Sequence, residues 1–317
     1  MFFRPALMHI PDGFLSTIVS IVFWAMSIVA VAYALQRTGK DLGERQVPLM
    51  GVLAAAIFAG QMLNFTVTGG TSGHLLGAAI ATILLGPWPA VIVMTTVVSI
   101  QALIFQDGGL LALGANLFNM AVVGVAVSHF VFTSLRRLAP HKSWGTIVGG
   151  FVAAWSSIFI ASLSAGLQLA ISGTSPANIS VPAMGGIHAL IGIGEGLITV
   201  GALTFLVATR RDLLAGDQAG TRGDVGVWVF GLGIALILAV LSPLASANPD
   251  GLEWVAEQKG FLDAARGPIF NLIPDYIFPG VSNQALATIL AGIFGTLIVF
   301  GVALGVAFLR RNRKATA

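Results

Sequence analysis

Long apolar runs, separated by short polar or Gly/Pro-rich breaks, dominate the chain. Runs of about twenty apolar residues are long enough to cross a bilayer as helices. Nine runs can be marked, and only Gly86-Pro87-Trp88-Pro89 divides the third from the fourth. They cover residues 14–35, 47–65, 73–86, 87–105, 110–135, 144–172, 184–209, 225–246 and 285–309. The pattern predicts an all-α, polytopic integral membrane helical bundle of about seven plus two transmembrane helices.

The composition places the chain in the membrane class. It has 317 residues, 56% hydrophobic and 9% charged, with a mean hydropathy of +0.91, whereas soluble domains carry roughly 25% charged residues. The run at 14–35 is too long for a signal-peptide core and lacks a small-residue cleavage site, so we expect it to stay as a membrane helix. The lack of cysteine excludes disulfides, thiolate metal ligands and thiol catalysis. We predict a multi-pass protein of the cell inner (cytoplasmic) membrane, in contact with membrane lipid.

Lysine and arginine residues are concentrated on one side of the predicted bundle. With nine spans, thirteen of the sixteen basic residues fall on that side, and cytoplasmic loops carry such an excess. They are Arg37, Lys40, Arg45, Arg136, Arg137, Lys142, Arg210, Arg211, Arg222, Arg310, Arg311, Arg313 and Lys314. The bias predicts an N-terminus outside and a C-terminus in the cytoplasm. It also accounts for the pI near 9.7 without invoking nucleic acid as a partner.

A charged, Gly-containing stretch at 210–224, "RRDLLAGDQAGTRGD", is typical of a linker. The seven spans before it have short loops and form a main module at 8–209. Residues 225–317 form an appended two-helix module, whose two spans enclose a longer exterior loop at 247–284.

Polar side chains gather at the predicted exterior ends of the helices. Such residues are costly inside a membrane protein and tend to mark function. They are His9, Asp12, Asn64, His74, Gln101, Gln106, Asp107, Asn116, Asn119, His188 and Glu195. Their common depth predicts a single site.

His9 and His74 are the strongest candidates for metal ligands. If Met8 carries a free amine, that amine, the deprotonated amide nitrogen of His9 and the His9 imidazole can bind one ion in fused chelate rings. His74 follows "TGGTSG", a stretch that allows a tight turn back toward the N-terminus, and it would fill the fourth position of a square-planar site. Square-planar nitrogen coordination suits Ni(II) or Cu(II), and Co(II) can be forced into it, whereas Zn(II) prefers a tetrahedron.

Other polar residues are expected beside the ion rather than on it. Asp107 and Asn116 are candidate partners for an imidazole, and Asp12 is expected to cap the first span. His188 and Glu195 are seven residues apart and share a helix face, where they either orient a ligand or bond to neighbouring helices. The full set is Asp12, Asn64, Gln106, Asp107, Asn116, His188 and Glu195.

Four motifs together carry a resemblance. "MHIPDGFLS", "TGGTSGHLLGA", "QALIFQDGGLLALGANLFNMA" and "IHALIGIGEGLIT" resemble the CbiM/NikM family, the substrate-capturing membrane subunits of energy-coupling-factor (ECF) importers for cobalt and nickel. The resemblance covers about residues 8–209, in family order. The loop "SPLASANPDGLEWVAEQKGF" resembles the small auxiliary subunit of the same systems, with its Pro-Asp-Gly-Leu-Glu signature.

The resemblance implies a metal site and a set of partners. Its ligands map to Met8, His9 and His74, and the transported substrate would be Ni(II) or Co(II), with no cofactor. A transmembrane coupling subunit and two cytoplasmic ATPase subunits would drive release inward, and the system would serve cobalamin biosynthesis or nickel supply. None of the four lysines lies in a Gly-Lys-Ser/Thr phosphate loop, so we expect no ATP hydrolysis and no enzyme activity in this chain.

The extension Met1–Leu7 departs from the family pattern, in which the methionine of "MHIPDG" is the first residue. With Leu7 attached, the Met8 nitrogen is a peptide nitrogen and one chelating donor is lost. We therefore expect translation to start at Met8, or the extension to be removed.

The appended loop at 247–284 has two interpretations. Its acidic residues can concentrate cations at the mouth of the main module, or the loop simply docks on that module in contact with solvent. The resemblance implies that it assists ion loading. Asn248-Pro249-Asp250 predicts a helix start with Asn248 as its cap.

Two other functions fit less well. A secondary transporter coupled to an ion gradient normally needs intramembrane acids, and Glu195 is the one convincing acid away from the helix ends. An intramembrane metalloenzyme would need an activated water, yet the chain has no HExxH pair. Nickel and cobalt are not separated by these arguments, although fusion of the two modules resembles nickel systems more.

Overall fold

The computed structural model describes residues 8–41, 43, 46–138, 143–209, 213 and 225–312. The predicted extension at 1–7 lies outside this range. So does the predicted linker at 210–224, apart from residue 213.

The elements follow the apolar runs closely. The helices of the main module are α1 (Thr17–Asp41), α2 (Gln46–Gln61), α3 (Ala78–Leu85), α4 (Pro87–Ile100), α5 (Leu113–Leu117), α6 (Gly124–Leu138), α7 (Ser143–Ile171) and α8 (Ala177–Thr209). The appended module contributes α9 (Val225–Leu241), α10 (Gly251–Lys259) and α11 (Gln284–Asn312). Strands β1 (Phe65–Val67) and β2 (Thr71–Gly73) form an antiparallel hairpin between α2 and α3, which is an exception to the all-α prediction.

Six helical segments in the described part of the chain are long and apolar enough to cross a membrane. They cover 17–38, 87–105, 113–138, 144–171, 177–209 and 284–311. Helix α2 and the helical segment at 228–244 are apolar but shorter, and α3 has only eight residues. The prediction of an all-α membrane protein is confirmed in outline, with six of the nine predicted runs long enough to span.

The third predicted run, 73–86, is helical only from Ala78 onward. Its first residues belong to β2 and to a turn in which Gly77 has φ 82°, a left-handed conformation that glycine adopts without steric cost. The run ends at Gly86, and Pro87 starts α4, as is common for proline in a first helical turn. The apolar run therefore overestimates α3 because it includes the hairpin.

Two π-helical segments flank one loop near the end of the bundle that carries the candidate residues. Helix α4 continues as a π-helix over Gln101–Phe105, and α5 continues as another over Phe118–Val123 into α6. Single π-helical turns occur often at functional sites. The loop between them, 106–112, carries Asp107.

Helix α2 joins the two modules. Thirteen of its sixteen residues are buried, and it packs against α4, α9 and α11. A Cβ added at Gly295 of α11 would lie 2.2 Å from the Phe58 ring, so only glycine permits this close approach. The appended helices therefore complete the bundle around α2.

The loops that carry the candidate residues meet at one end of this bundle. Arg266 N–H donates to the Asp12 carbonyl at 2.7 Å, and Ser246 N–H donates to the Asn64 carbonyl at 2.8 Å. At the other end, Arg310 Nε donates to the Leu35 carbonyl at 3.0 Å. The polar residues and the basic helix ends are thus on opposite sides.

Candidate metal site

The segment before α1 is held by a buried amide side chain of α5. Asn116 Oδ1 accepts from Ile10 N–H, and Asn116 Nδ2 donates to the Ile10 carbonyl, both at 3.0 Å. Gly109 N–H donates to the same carbonyl at 3.0 Å. These three bonds fix the backbone next to His9, so the histidine is presented on a rigid element.

Asp12 does not cap the first span. Its carboxylate accepts from Leu110 N–H at 3.2 Å and from Ala112 N–H at 3.0 Å, so it anchors the loop that leads into α5. Ser16 Oγ accepts from Val19 N–H at the start of α1. The prediction for Asp12 was wrong because the chain continues for four residues beyond it before the helix begins.

His9 is oriented by a chain of hydrogen bonds. Its Nδ1 donates to the Asp107 backbone carbonyl at 3.3 Å and lies at an ion-pair distance of 3.0 Å from Asp107 Oδ1. Tyr276 O–H donates to Asp107 Oδ2 at 2.6 Å. Among the described residues, His9 Nε2 is buried without a hydrogen-bond partner. Metal-binding histidines typically donate one ring N–H to a carboxylate; in His9 the nitrogen that faces the carboxylate is Nδ1, and Nε2 is the free one.

The two charges support each other. Burial alone would lower the pKa of His9, but the adjacent Asp107 carboxylate outweighs it and raises the pKa. Burial would raise the pKa of Asp107, yet the charge of His9 and the hydrogen bonds from His9 and Tyr276 lower it. The charged forms of the two groups therefore favour each other.

His74 follows β2 and meets His9. The two imidazole centroids are 5.5 Å apart, with ring planes inclined at 72°. His74 Nδ1 donates to the Leu75 carbonyl at 3.0 Å, and its Nε2 lies 3.5 Å from Asp250 Oδ2. The hairpin thus brings together the two histidines that the sequence singled out.

Glu195 holds the segment after His74. Its carboxylate is fully buried and accepts from Leu76 N–H at 2.7 Å and Gly77 N–H at 3.0 Å. These amides have no helical partner because the chain turns there, so the carboxylate satisfies both. Glu195 therefore positions His74 rather than facing the ion.

His188 lies two turns before Glu195 on α8. Its Nδ1 donates to the Met184 carbonyl at 2.8 Å, which leaves Nε2 with its lone pair. A Cβ added at Gly251 would lie 3.4 Å from that Nε2. His188 thus contacts the appended loop at the residue after Asp250.

A cavity of about 80 Å³ lies between these groups. A water molecule takes about 30 Å³ in the liquid, so the space suits one ion with very little water. Residues on its wall include Met8, His9, His74, Asn116, Asn119, Met184, His188 and Asp250. We call this the inner cavity.

Two predicted residues do not line the inner cavity. Asn64 accepts from Ser246 through its backbone carbonyl and lies at the start of the hairpin. Gln106 Nε2 donates to the Ile104 carbonyl at 3.0 Å, and its side chain lines a second cavity. Both lie at the same end of the bundle as the two histidines, but neither lines the inner cavity.

A fused chelate would require a different orientation of the His9 ring. Closing a six-membered ring with the His9 amide nitrogen uses Nδ1, and here Nδ1 faces Asp107. Within the described ranges, no group of three or more His, Asp or Glu side chains is placed to hold a metal ion. The chelate therefore needs the His9 ring to rotate so that Nδ1 can join the two backbone nitrogens on the ion.

The appended loop supplies two residues that sequence reasoning did not assign to the site, Asp250 and Tyr276. Asp250 Oδ1 accepts from Leu252 N–H at 2.8 Å and so caps α10, which corrects the prediction of Asn248 as cap. Burial raises the pKa of Asp250. The Pro-Asp-Gly motif marks Asp250, but nothing in the local sequence links Tyr276 to Asp107.

The loop docks on the hairpin. Ser72 N–H donates to the Pro249 carbonyl at 2.8 Å, and Ser72 Oγ donates to the Asn248 carbonyl at 2.9 Å. The loop therefore docks on the main module beside His74, and the concentration of cations by its acidic residues stays a prediction.

Comparisons with known proteins agree with the resemblance. The family model described as "Cobalt uptake substrate-specific transmembrane region" matches residues 9–213, and that of the "PDGLE domain" matches residues 225–312. A protein of Archaeoglobus fulgidus named "Putative fused nickel transport protein NikMN" is 38% identical over 314 residues, which is 97% of this chain and 100% of that protein.

Two further similarities cover different parts of the chain. A "Fused nickel transport protein NikMN" of Rhodobacter capsulatus is 30% identical over 348 aligned residues, 97% of this chain and 100% of that protein. The solved structure of a transition metal transporter matches with a TM-score of 0.57 and 32% sequence identity, over 67% of this chain and 100% of that one.

Proposed function

The chain belongs to the family of cobalt-uptake substrate-specific transmembrane regions, joined to a PDGLE domain, and from that premise we propose that it is the metal-capturing membrane subunit of an ATP-driven ECF importer for Ni(II) or Co(II). The observation that carries the proposal is the meeting of His9 and His74 in the inner cavity, with ring centroids 5.5 Å apart. The first ligand comes from the N-terminal segment and the second from the hairpin.

The ion is held by the Met8 amine, the His9 amide and imidazole, and the His74 imidazole. This requires a mature chain that begins at Met8. In the absence of the ion, Asp107 holds the His9 imidazole. An incoming ion competes with this contact, and metal ligands must lose their protons before they bind. Glu195 and Asn116 keep the two histidines in place.

The surrounding assembly follows from the same proposal. The candidate residues face the exterior, and the basic helix ends face the cytoplasm of the cell inner membrane. A transmembrane coupling subunit and two ATPase subunits bind on the cytoplasmic side and drive release. Fusion of the two modules favours nickel over cobalt, since the full-length relatives carry nickel in their names.

The position of Glu195 argues against the secondary-transport alternative. Both of its oxygens accept backbone amides, so proton coupling through this carboxylate would break the turn that positions His74. Uptake measured in cells with and without the ATPase partners separates the two functions. ECF-type import requires the ATPases, whereas uptake that persists without them would contradict it.

Metal analysis tests the site directly. We expect one Ni(II) per chain in protein that begins at Met8, and loss of that ion in His9→Ala and in His74→Ala. His129→Ala serves as a control because His129 lies on α6, away from the inner cavity. Full metal content in both ligand variants would refute the proposed site.

A further inference from the structure

A segment of the appended loop leaves its apolar side chains uncovered. Residues 266–272, which we call the arch, are all exposed. Ile269 is 77% exposed, Phe270 36% and Leu272 56%. Single exposed apolar residues are normal on a protein surface, whereas these three lie within four positions of the chain and form a patch. Exposed apolar patches mark contacts with another protein or with a membrane.

The residues on both sides of the arch are buried, although they belong to the same loop. Phe261 precedes the arch and is 6% exposed, whereas Ile273 and Tyr276 follow it and are 7% and 8% exposed. The loop therefore has room for large apolar side chains where it docks, and it uses that room before and after the arch. The three apolar side chains of the arch are left for a different surface.

The two ends of the arch are tied to the ends of membrane-spanning segments. At its start, Arg266 N–H donates to the Asp12 carbonyl at 2.7 Å, shortly before the span that begins at Thr17. Directly after its end, Ile273 N–H donates to the Ile104 carbonyl at 3.0 Å, and the span at 87–105 ends at the next residue. A bilayer around these spans has its surface at this level, so the arch lies where the chain leaves the lipid.

The arch stands off the bundle beside a side chain that faces lipid. The second cavity, of about 490 Å³, is lined by Ile269 and Phe270 of the arch and by Ala102 and Leu110 of the main module. Leu103 follows Ala102 within the span at 87–105 and is 43% exposed, so it contacts lipid when this span crosses a bilayer. The apolar patch of the arch therefore continues the lipid-facing surface of the bundle.

The charge of the arch suits a phospholipid headgroup. Arg266 is its one charged residue, and no acidic residue lies between Asp263 and Asp275. Arg266 is exposed, and its guanidinium has no ion-pair partner among the described residues. A guanidinium binds phosphate oxygens through two parallel hydrogen bonds. A cation beside three apolar side chains is the pattern expected at the boundary between headgroups and acyl chains.

We propose that the arch anchors the appended loop to the lipid bilayer. Ile269, Phe270 and Leu272 contact the acyl chains of the leaflet at this end of the bundle, and Arg266 binds the phosphate of an anionic phospholipid. The anchor holds the middle of the loop at the membrane surface, while the residues on both sides of it dock on the main module. This inference does not rest on the proposed function, because the arch contributes no residue to the inner cavity.

The chain has no cysteine, so a fluorophore can be attached at one chosen position. Ile269→Cys and Leu272→Cys each carry bimane in the full chain, reconstituted in phosphatidylcholine vesicles. Phosphatidylcholine with a nitroxide on its acyl chain quenches a probe that touches lipid, and aqueous iodide quenches a probe that faces water. Gln258→Cys is the control for water, since Gln258 is exposed on α10. Leu197→Cys is the control for lipid, since Leu197 is 59% exposed within the span at 177–209.

We expect the nitroxide lipid to quench the probes at positions 269 and 272 nearly as strongly as the probe at 197. Both should be protected from iodide relative to the probe at 258. Quenching by iodide alone would place the arch in water and refute the anchor. Protection from both quenchers would show that protein covers the arch, whether a second copy or another chain, and would refute the anchor as well.

The role of Arg266 is tested in the Ile269→Cys chain with phosphatidylglycerol that carries the same nitroxide. We expect this anionic lipid to quench the probe more strongly than phosphatidylcholine does. Arg266→Gln should reduce the relative affinity for phosphatidylglycerol by about 5-fold, the contribution of one basic residue near an anionic surface. Lys259→Gln is the matched control, because Lys259 is an exposed cation of the same loop outside the arch. Equal preference for phosphatidylglycerol in the two variants would refute the binding of phosphate by Arg266.

Discussion

The inner cavity and the second cavity, whose wall includes Asp275, differ in what builds them. Most of the wall of the inner cavity comes from the main module, and each histidine has a fixed hydrogen-bond partner, the Asp107 carbonyl for His9 and the Leu75 carbonyl for His74. The second cavity has the appended loop for much of its wall and is about six times larger. The paired histidines are therefore positioned mainly by the main module.

Buried polar atoms without a partner occur in both regions. At the inner cavity, Glu195 and Asn116 bind the adjacent backbone, whereas His9 Nε2 has no hydrogen-bond partner among the described residues. On the wall of the second cavity, Gln106 Oε1 also lacks a partner in the described part of the chain. Substitutions that remove the fixed contacts of the inner cavity should therefore have the larger effects.

Substitution of Glu195 should have the largest effect. Glu195→Gln keeps one acceptor and puts an amide against a backbone N–H, so we expect about 2 kcal/mol less stability and a 10- to 100-fold loss of Ni(II) affinity through displacement of His74. Isothermal titration and thermal unfolding measure the two quantities. An unchanged affinity would show that His74 does not depend on this carboxylate.

Asp107 should come next. Asp107→Asn removes the carboxylate that can accept the remaining ring N–H of a metal-bound His9, and we expect roughly 10-fold weaker Ni(II) binding. Tyr276→Phe is the matched variant on the opposite side of Asp107, and it should cost only a few-fold because it removes one hydrogen bond. Equal losses in the two variants would mean that the His9–Asp107 contact has no special role.

Asp250 should have a smaller effect. It lies 3.5 Å from His74 Nε2 but is supplied by the appended loop. We expect Asp250→Asn to change affinity by about 3-fold and to leave the one-ion stoichiometry intact, because the amide still caps α10. Complete loss of the ion would instead identify Asp250 as a direct ligand, and the appended loop would then form part of the metal site.

Asp275 should show the smallest effect. The quantity affected is the free energy of unfolding, and the effect depends on pH. Burial first, and then the charge of Asp107, raise its pKa to about 6. The protonated acid is therefore favoured in the folded state. Its contribution to the free energy of unfolding is present below the ordinary pKa of aspartate and is lost as the pH rises through about 6. Asp275→Asn should raise stability at pH 8 by less than about 1 kcal/mol, since solvent screens this partly exposed group, and leave it unchanged at pH 4.

Thermal unfolding of the metal-free chain at the two pH values checks this sign. If Asp275→Asn stabilises the chain more at pH 4 than at pH 8, the pKa of the Asp275 carboxylate is not raised in the folded state.

The helices could be predicted from the apolar runs because segments that cross the lipid must be long and hydrophobic. Helix α8 illustrates the remaining error, since it begins at Ala177, seven residues before the predicted run. The hairpin was missed because the alternation of apolar and polar residues at 65–68 is only four residues long and β2 has no apolar side chain. It is also held by distant partners. Glu195 lies more than a hundred residues from the amides that it accepts, so no local pattern reveals that contact.

Only part of the site could be predicted, because long-range contacts again leave no local pattern. The family motifs marked His9, His74 and Asp107, and the structure places these three together. Asp250 and Tyr276 could not be paired with them, because they lie in a loop more than 160 residues further along the chain than the residues that they contact. Asp12 was misassigned because a carboxylate near a helix start resembles a cap wherever it lies.

Ni(II) affinity measured on a matched pair of chains tests the central claim most directly. One chain begins at Met8 with a free amine, confirmed by intact mass, and the other keeps Leu7 attached. The account predicts tight binding of one ion by the first and a loss of roughly 100-fold or more in the second, because a direct nitrogen ligand is worth at least as much as the groups that orient it. Equal affinity in the two chains would contradict the chelate at Met8 and His9.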